Sequence, residues 1–230
     1  MVSYQPSYIF RFLPEILTAL PLTLLILVLS ILFGSLLGGL ITRGQLSQDD
    51  TTKKLANAYI FVIRCTPPVV LLFLVFYGLP EFLKWWLGIN VESWSRASFT
   101  LISMVLLFAA TSAEIFKSAY LAIPYGQTEA GLSIGLNSWQ TFFRIIFPQA
   151  FRVALPNLTT AILNLMKDMA LAYTIGLVDI MGQTNLLISR NMGNYSLEAY
   201  TAVAIIYWGL ALLVTFLSHI IEKNLVVRGG

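Results

Sequence analysis

Lys167 and Asp168 are adjacent and lie near the middle of an otherwise apolar stretch, 153–178. On insertion scales a charge at the bilayer centre costs about 2.5–3.5 kcal/mol, so such residues persist where they are paired or line a polar cavity. Two roles are open for this pair. One is a structural ion pair, with Glu114 or with a neighbouring helix. The other is direct contact with a charged substrate. Successive residues on a helix point about 100° apart, so the two side chains need not bond each other. Glu114 and Lys117 lie near the end of a second apolar stretch, and Arg64 interrupts a third.

Other reactive residue types lack the partners their chemistry requires. Gly131-Leu132-Ser133-Ile134-Gly135 matches the G-x-S-x-G pattern of a hydrolase nucleophile elbow. That elbow needs a strand before it, a helix after it, and acid and histidine partners. No strand pattern precedes it, and His219, the only histidine, falls at the end of the last apolar stretch. A membrane serine hydrolase is therefore a weak alternative, and a multi-histidine metal site is excluded. Cys65 is the single cysteine, which reads as a small buried hydrophobe rather than a nucleophile and rules out an intrachain disulfide. The chain has no G-x-x-x-x-G-K-[ST] phosphate loop. Any ATP hydrolysis linked to it must come from another chain, and no cofactor is expected here.

The elements that position these residues follow from composition. Hydrophobic residues make up 57% of the 230 and charged residues 11%, less than half the share in a soluble domain. The net charge of +3 comes without a basic run, so a nucleic-acid-binding face is not indicated. About 20 apolar residues cross a bilayer. By that measure spans are expected at about 16–42, 55–80, 97–119, 153–178 and 199–221. The predicted fold is an all-α integral membrane protein of about five transmembrane helices, forming a single domain over 1–230. Ser30, Gly34 and Gly38 repeat every four residues, which lets a second helix approach closely in lipid. Pro21 is expected one turn inside the first span, where a membrane helix tolerates it. Residues 179–198 read as a polar connection.

Five spans put the termini on opposite sides. Arg43, Lys53, Lys54, Lys117, Arg144, Arg152, Lys223 and Arg228 fall on one side; Arg11, Lys84, Arg96 and Arg190 fall on the other. The positive-inside rule then places the N-terminus outside, with the C-terminus and the connection at about 120–152 in the cytoplasm.

That connection mixes Gly, Pro, Gln, Asn and Ser with apolar residues and reads as short helices in a loop. Glu129 suits the first turn of a helix. Ala130 and Gly131 are small enough to let another protein's surface approach. Gly135 fits a left-handed helix end. Ser138 is the expected cap of the next helix, and Pro148 is expected to break it. Such a helix pair either docks a partner or lies on the membrane surface.

The connection resembles the EAA motif of bacterial ABC-importer permeases, which runs Glu-Ala-Ala, three residues, Gly, nine residues, Ile, one residue, Leu-Pro. Glu129, Ala130, Gly135, Ile145 and Pro148 match it, while Gly131 stands for the second Ala and Phe147 for Leu. Gly131 weakens a helix by up to about 1 kcal/mol relative to Ala. Further segments are similar to the polar amino-acid branch of the family: Arg64-Cys65-Thr66-Pro67, Tyr77-Gly78-Leu79-Pro80, Glu114-Ile115-Phe116-Lys117, Ile123 to Gln127, Pro148-Gln149-Ala150, Leu155-Pro156 and Lys167-Asp168.

The resemblance covers about residues 16–222. It implies a type I ABC-importer permease in the bacterial cell membrane (inner or plasma), one of two permease chains that form a pore. Implied partners are ABC ATPase subunits that use ATP and Mg, an extracytoplasmic amino-acid-binding protein, and a second permease chain, the same or different. Glu129, Ala130, Gly131, Gly135, Ile145 and Pro148 would then couple to the ATPase through the 129–148 loop. Thr66, Pro67, Glu114, Lys167 and Asp168 are substrate-path candidates. A passive channel is the alternative, against which the docking loop argues. Met169-Ala170 replaces the family's Thr-Ser, and Leu71 replaces its Gln, from which a less polar pocket is expected. The segment 179–208 faintly resembles cystine-importing members, so the substrate is a polar amino acid with L-cystine as the narrower expectation.

Overall fold

The computed structural model describes residues 4–227 apart from residue 92. No strand occurs among them. The order is α1 (Ser7–Leu17), α2 (Leu20–Gln45), α3 (Asp50–Cys65), α4 (Pro68–Phe73), a π-turn (Leu74–Gly78), α5 (Leu79–Leu87), α6 (Arg96–Leu121), α7 (Gly126–Ser133) and α8 (Ser138–Thr141). A second π-turn (Phe142–Ile146), α9 (Phe147–Met169), a 3-10 turn (Ala170–Ile175), α10 (Ile180–Arg190) and α11 (Ser196–Val227) complete it. Among the described residues four helical stretches are long and apolar enough to cross a membrane: Leu20–Gln45, Pro68–Leu87, Arg96–Leu121 and Ser196–Asn224. Ser138–Ile175 and Ile180–Arg190, bent by 46°, make a fifth if they count as one broken span.

The tightest seam joins α2 to α6, and the stripe of small residues explains it. Ser30, Gly34 and Gly38 are all buried. A Cβ on Gly34 would lie 2.9 Å from Phe108 Cβ, and one on Gly38 would lie 2.1 Å from Ser112 Oγ and 3.0 Å from the Ala109 carbonyl. The missing side chains let hydroxyls of each helix reach backbone carbonyls of the other. Thr42 Oγ1 donates to the Ala113 carbonyl at 3.0 Å, and Ser112 Oγ donates to the Gly34 carbonyl at 3.3 Å. Phe108, Met104, Leu72 and Met166 fill the core where α4, α6 and α9 meet. A second core seats the amphipathic α1 on α10 and α11 through Ile9, Phe12 and Ile16 against Ile180, Leu187 and Ala202.

The structure corrects four sequence expectations, and in each case backbone hydrogen bonding is the reason. The first apolar stretch is not continuous from residue 16. Helix α1 ends at Leu17, and α2 starts at Leu20 with Pro21 in its first turn, where a missing N–H costs nothing because first-turn donors have no helical acceptor. The stretch at 55–80 breaks at Thr66 and Pro67, both extended (ψ 124° and 139°). Neither Pro67 nor Pro68 can donate to the preceding turn.

The third correction concerns 138–153. Pro148 does not break the helix, which runs on from Ser138 to Met169. The Phe147 N–H reaches back five residues to the Phe142 carbonyl, and this wide turn makes room for the proline ring in the turn that follows. The cap is Asn137 rather than Ser138, in a reciprocal bond pair with Gln140. Fourth, the polar segment 179–198 contains α10. Asp179 caps it by accepting from the Gly182 N–H at 2.8 Å, and Ile180, Thr184 and Leu187 bury one face. Of the charges used for orientation, Arg228 lies outside the described residues.

Candidate functional site

The break in the second apolar stretch opens a cavity of about 240 Å³ against α6 and α9. Arg64, Thr66 and Pro68 line it from the break, Thr111 from α6, and Asn164 and Asp168 from α9. The break stands at the start of the candidate span Pro68–Leu87, and non-helical backbone is tolerated in a membrane protein where it lines a polar cavity. Thr66 partly repairs the break itself: its hydroxyl donates to the Val62 carbonyl at 2.8 Å. Asn164 and Asp168 are four residues apart, so both project from one face of α9.

A second, more open cavity of about 520 Å³ lies toward the end of α6 that leads into α7. Arg64, Cys65 and Asn57 line it from α3, and Glu114 and Lys117 from α6; Cys65 is exposed there, not buried as its apolar surroundings in sequence suggested. Gln45, buried at the end of α2, fixes one wall. Its amide nitrogen donates to Glu114 Oε1 at 2.7 Å and to Asn57 Oδ1 at 2.9 Å, so its two N–H groups tie α2 to α6 and to α3.

The structure therefore separates the five substrate-path candidates. Thr66 and Asp168 share the first cavity, and Glu114 belongs to the second. Pro67 shapes the break, while its neighbours Thr66 and Pro68 supply the wall. Lys167 is exposed on α9, with Nζ 3.4 Å from Asn164 Oδ1. Glu114 is engaged by Gln45 instead of by Lys167, so that version of the ion pair is not formed. The expectation of a less polar pocket rested on Met169-Ala170 and Leu71. Met169 and Leu71 are buried in the packing between helices and line neither cavity.

Arg64, Asn164 and Gln45 were not among the candidates. The i, i+4 spacing of Asn164 to Asp168 and the isolation of Arg64 in an apolar run were the available signals.

The coupling candidates form one compact unit. Helix α7 has Glu129 in its first turn. It ends on Gly135 at φ 86°. The Leu136 N–H bonds to the Gly131 carbonyl and the Gly135 N–H to the Leu132 carbonyl, which is the Schellman arrangement that glycine permits. Gly131 faces inward: a Cβ there would lie 2.6 Å from Thr141 Cγ2 and 3.0 Å from Ile145 Cδ1. Its smallness serves packing within the chain, not the approach of another protein, and this also explains why Gly stands where the motif has Ala. Ala130 is exposed. Ile145 sits in the π-turn, and Pro148 opens α9. On the outside of this unit Ile134 (75% exposed), Trp139 (71%) and Phe143 (45%) are exposed apolar residues, and the Trp139 and Phe143 rings lie 4.4 Å apart. Ser133 lies in the last turn of α7 and donates to the Glu129 carbonyl at 2.8 Å. It is thus a helix-end residue without the strand that a nucleophile elbow requires.

Three comparisons bear on this geometry. The family model described as "Binding-protein-dependent transport system inner membrane component" matches residues 30–227. The chain is 36% identical to the L-cystine transport system permease protein TcyL of Bacillus subtilis (strain 168), covering 97% of this chain and 92% of that protein. It is 32% identical to the L-cystine transport system permease protein TcyB of the same organism, covering 90% and 82%. A crystal structure of an amino acid ABC transporter with histidines superposes with a TM-score of 0.82 at 26% identity, covering 97% of this chain and all of that one. The MetNI methionine ABC transporter, in an inward-facing conformation, gives 0.72 at 18% identity, covering 94% and 98%, and supports the fold alone.

Proposed function

We propose a working cycle for this chain, which belongs to the family of binding-protein-dependent transport system inner membrane components and is a permease component of an amino-acid ABC importer. The permease is a multi-pass membrane protein and not itself an enzyme; a separate ATPase hydrolyses ATP. In the proposed cycle, two ATPase subunits using ATP and Mg dock on the α7–α8 unit. A binding protein delivers the amino acid from outside, and a second permease chain completes the pore.

One observation carries this reading. The exposed Trp139–Phe143 surface and the cavity residues Asn164 and Asp168 lie on a single helical rod. From Phe143 to Asp168 that rod is about 37 Å long at 1.5 Å per residue. Force applied to the aromatic surface reaches the cavity wall without crossing a loop. The substrate we propose is a polar amino acid, with L-cystine as the first to test, because relatives named for L-cystine transport are 36% and 32% identical.

The experiment is uptake into proteoliposomes holding the permease, its ATPase and its binding protein, with a panel of amino acids that includes L-cystine. ATP-dependent uptake of L-cystine above the rest is expected. A different preferred amino acid would replace the substrate, and uptake without ATPase would make the chain a passive channel. The proposed orientation puts the α7–α8 unit in the cytoplasm. An Asn137→Cys variant in a Cys65→Ser background should then resist an impermeant thiol reagent applied to intact cells; labelling would reverse the topology.

A further inference from the structure

Arg64 lines both cavities, and the lining of each cavity also holds one carboxylate. In the first that carboxylate is Asp168; in the second it is Glu114, with Lys117 as an additional cation. A guanidinium binds a carboxylate in a two-pronged geometry, and a side-chain carboxylate binds an ammonium. Each cavity thus offers complements to both ends of an amino-acid zwitterion, with Arg64 common to the two.

We propose that the second cavity is a distinct amino-acid station on the route out of the pore, and that Arg64 hands the substrate to it from the first. The inference rests on the reading of the chain as an amino-acid importer. The α-carboxylate stays on Arg64 while the α-ammonium exchanges Asp168 for Glu114. Thr111 in the first cavity and Lys117 in the second are separated by about 9 Å along α6, a distance an arginine side chain can cover by changing rotamers. Gln45 prepares the second station. It holds Glu114 Oε1 at 2.7 Å, so the carboxylate is oriented before the substrate arrives. Lys117 then adds the positive charge that draws the α-carboxylate onward.

Cys65 reports on this station, because it lines the second cavity and is absent from the first. The purified importer complex, free of nucleotide, is treated with N-ethylmaleimide with and without 10 mM of the amino acid taken up fastest in the panel. Occupancy of the second station should slow alkylation of Cys65 at least threefold. Lys117→Gln should abolish that protection, Lys117→Arg should restore it, and Asp168→Asn should leave it in place. In proteoliposomes Glu114→Gln should lower kcat for uptake about tenfold while KM changes less than twofold.

If wild-type Cys65 is alkylated at the same rate with and without the amino acid, or if Asp168→Asn removes the protection and Lys117→Gln does not, there is one station and the proposal is overturned. Wild-type complex that takes up no panel amino acid would instead overturn the reading of function beneath it.

Discussion

Helix α6 has two sides built to opposite specifications. Toward α2 it meets glycines and serines, and the backbones come close enough to bond through Ser112 and Thr42. Toward the α3–α4 break and α9 it meets Arg64, Thr66 and Asp168 around open volume. Protein cores are bistable rather than continuously deformable, so a filled seam moves as one body while an unfilled, polar seam can change its spacing. On this contrast we expect α2 and α6 to behave as a fixed frame, and the polar stretch of α3, α4 and α9 that lines the cavity, beside the apolar core that α4 and α9 share with α6, to be the part that adjusts around a substrate.

The strongest way to break this comparison is to pry the frame apart. Gly38→Val places atoms where Ser112 and Ala109 already sit. Overpacking typically costs about 1–3 kcal/mol and occasionally more. The upper part of that range is expected here, seen as loss of monodisperse protein in thermal-shift chromatography. The neighbouring Gly39→Val meets nothing within 4 Å and should leave the melting temperature within a degree of wild type. Equal behaviour of the two variants would remove the frame.

A smaller effect is expected where the moving side is driven. Gly131→Val should displace Thr141 and Ile145 and cost about 1–2 kcal/mol. Membrane insertion should survive, while ATPase retention on an affinity column falls severalfold. Gly135→Val, forced to φ 86°, should act alike through a strained helix end. Full ATPase retention in both would detach the α7–α8 unit from coupling.

On the open side, Asp168→Asn should raise KM for uptake about tenfold, equivalent to about 1.4 kcal/mol, with the complex still assembled. Reduced assembly with unchanged KM would make Asp168 structural. The smallest effect belongs to neither side. The Lys54–Asp50 pair is about three-quarters exposed at both ends. Lys54→Ala should therefore change stability by at most about 0.5 kcal/mol, below what the melting curve resolves.

The frame was legible in the sequence because its signal is local: Ser30, Gly34 and Gly38 write a period of four, and no other element is needed to read it. Gly135 was legible for the same reason. The moving side was not, because hydropathy does not register hydrogen bonds. Cys65-Thr66 and Pro67-Pro68 are apolar enough to pass as part of a span, yet two consecutive prolines leave the preceding turn without donors. Both π-turns end two residues before a proline, at Gly78 and Ile146, which is how α5 and α9 absorb Pro80 and Pro148; a rule that reads proline as a stop misplaces both. Helix α1 went unread because a short amphipathic segment with Pro14 inside it is stabilised by α10 and α11, which come much later in the chain. The sharing of Arg64 between two cavities arises only when α3, α6 and α9 are brought together.

The α2–α6 seam also sets a schedule for biogenesis. Gly34 and its partner Ser112 are 78 residues apart. At roughly 5–20 residues synthesised per second, α2 waits about 4–16 s in the membrane before α6 emerges. During that interval its groove of small residues faces lipid, or any other helix with a complementary ridge. When α6 arrives, α3 to α5 must already stand aside, because the seam between α2 and α6 skips over them. The frame is therefore completed third in order of synthesis, and the helices that line the cavities are arranged around a seam that closes only after one of them has been made and before the other has.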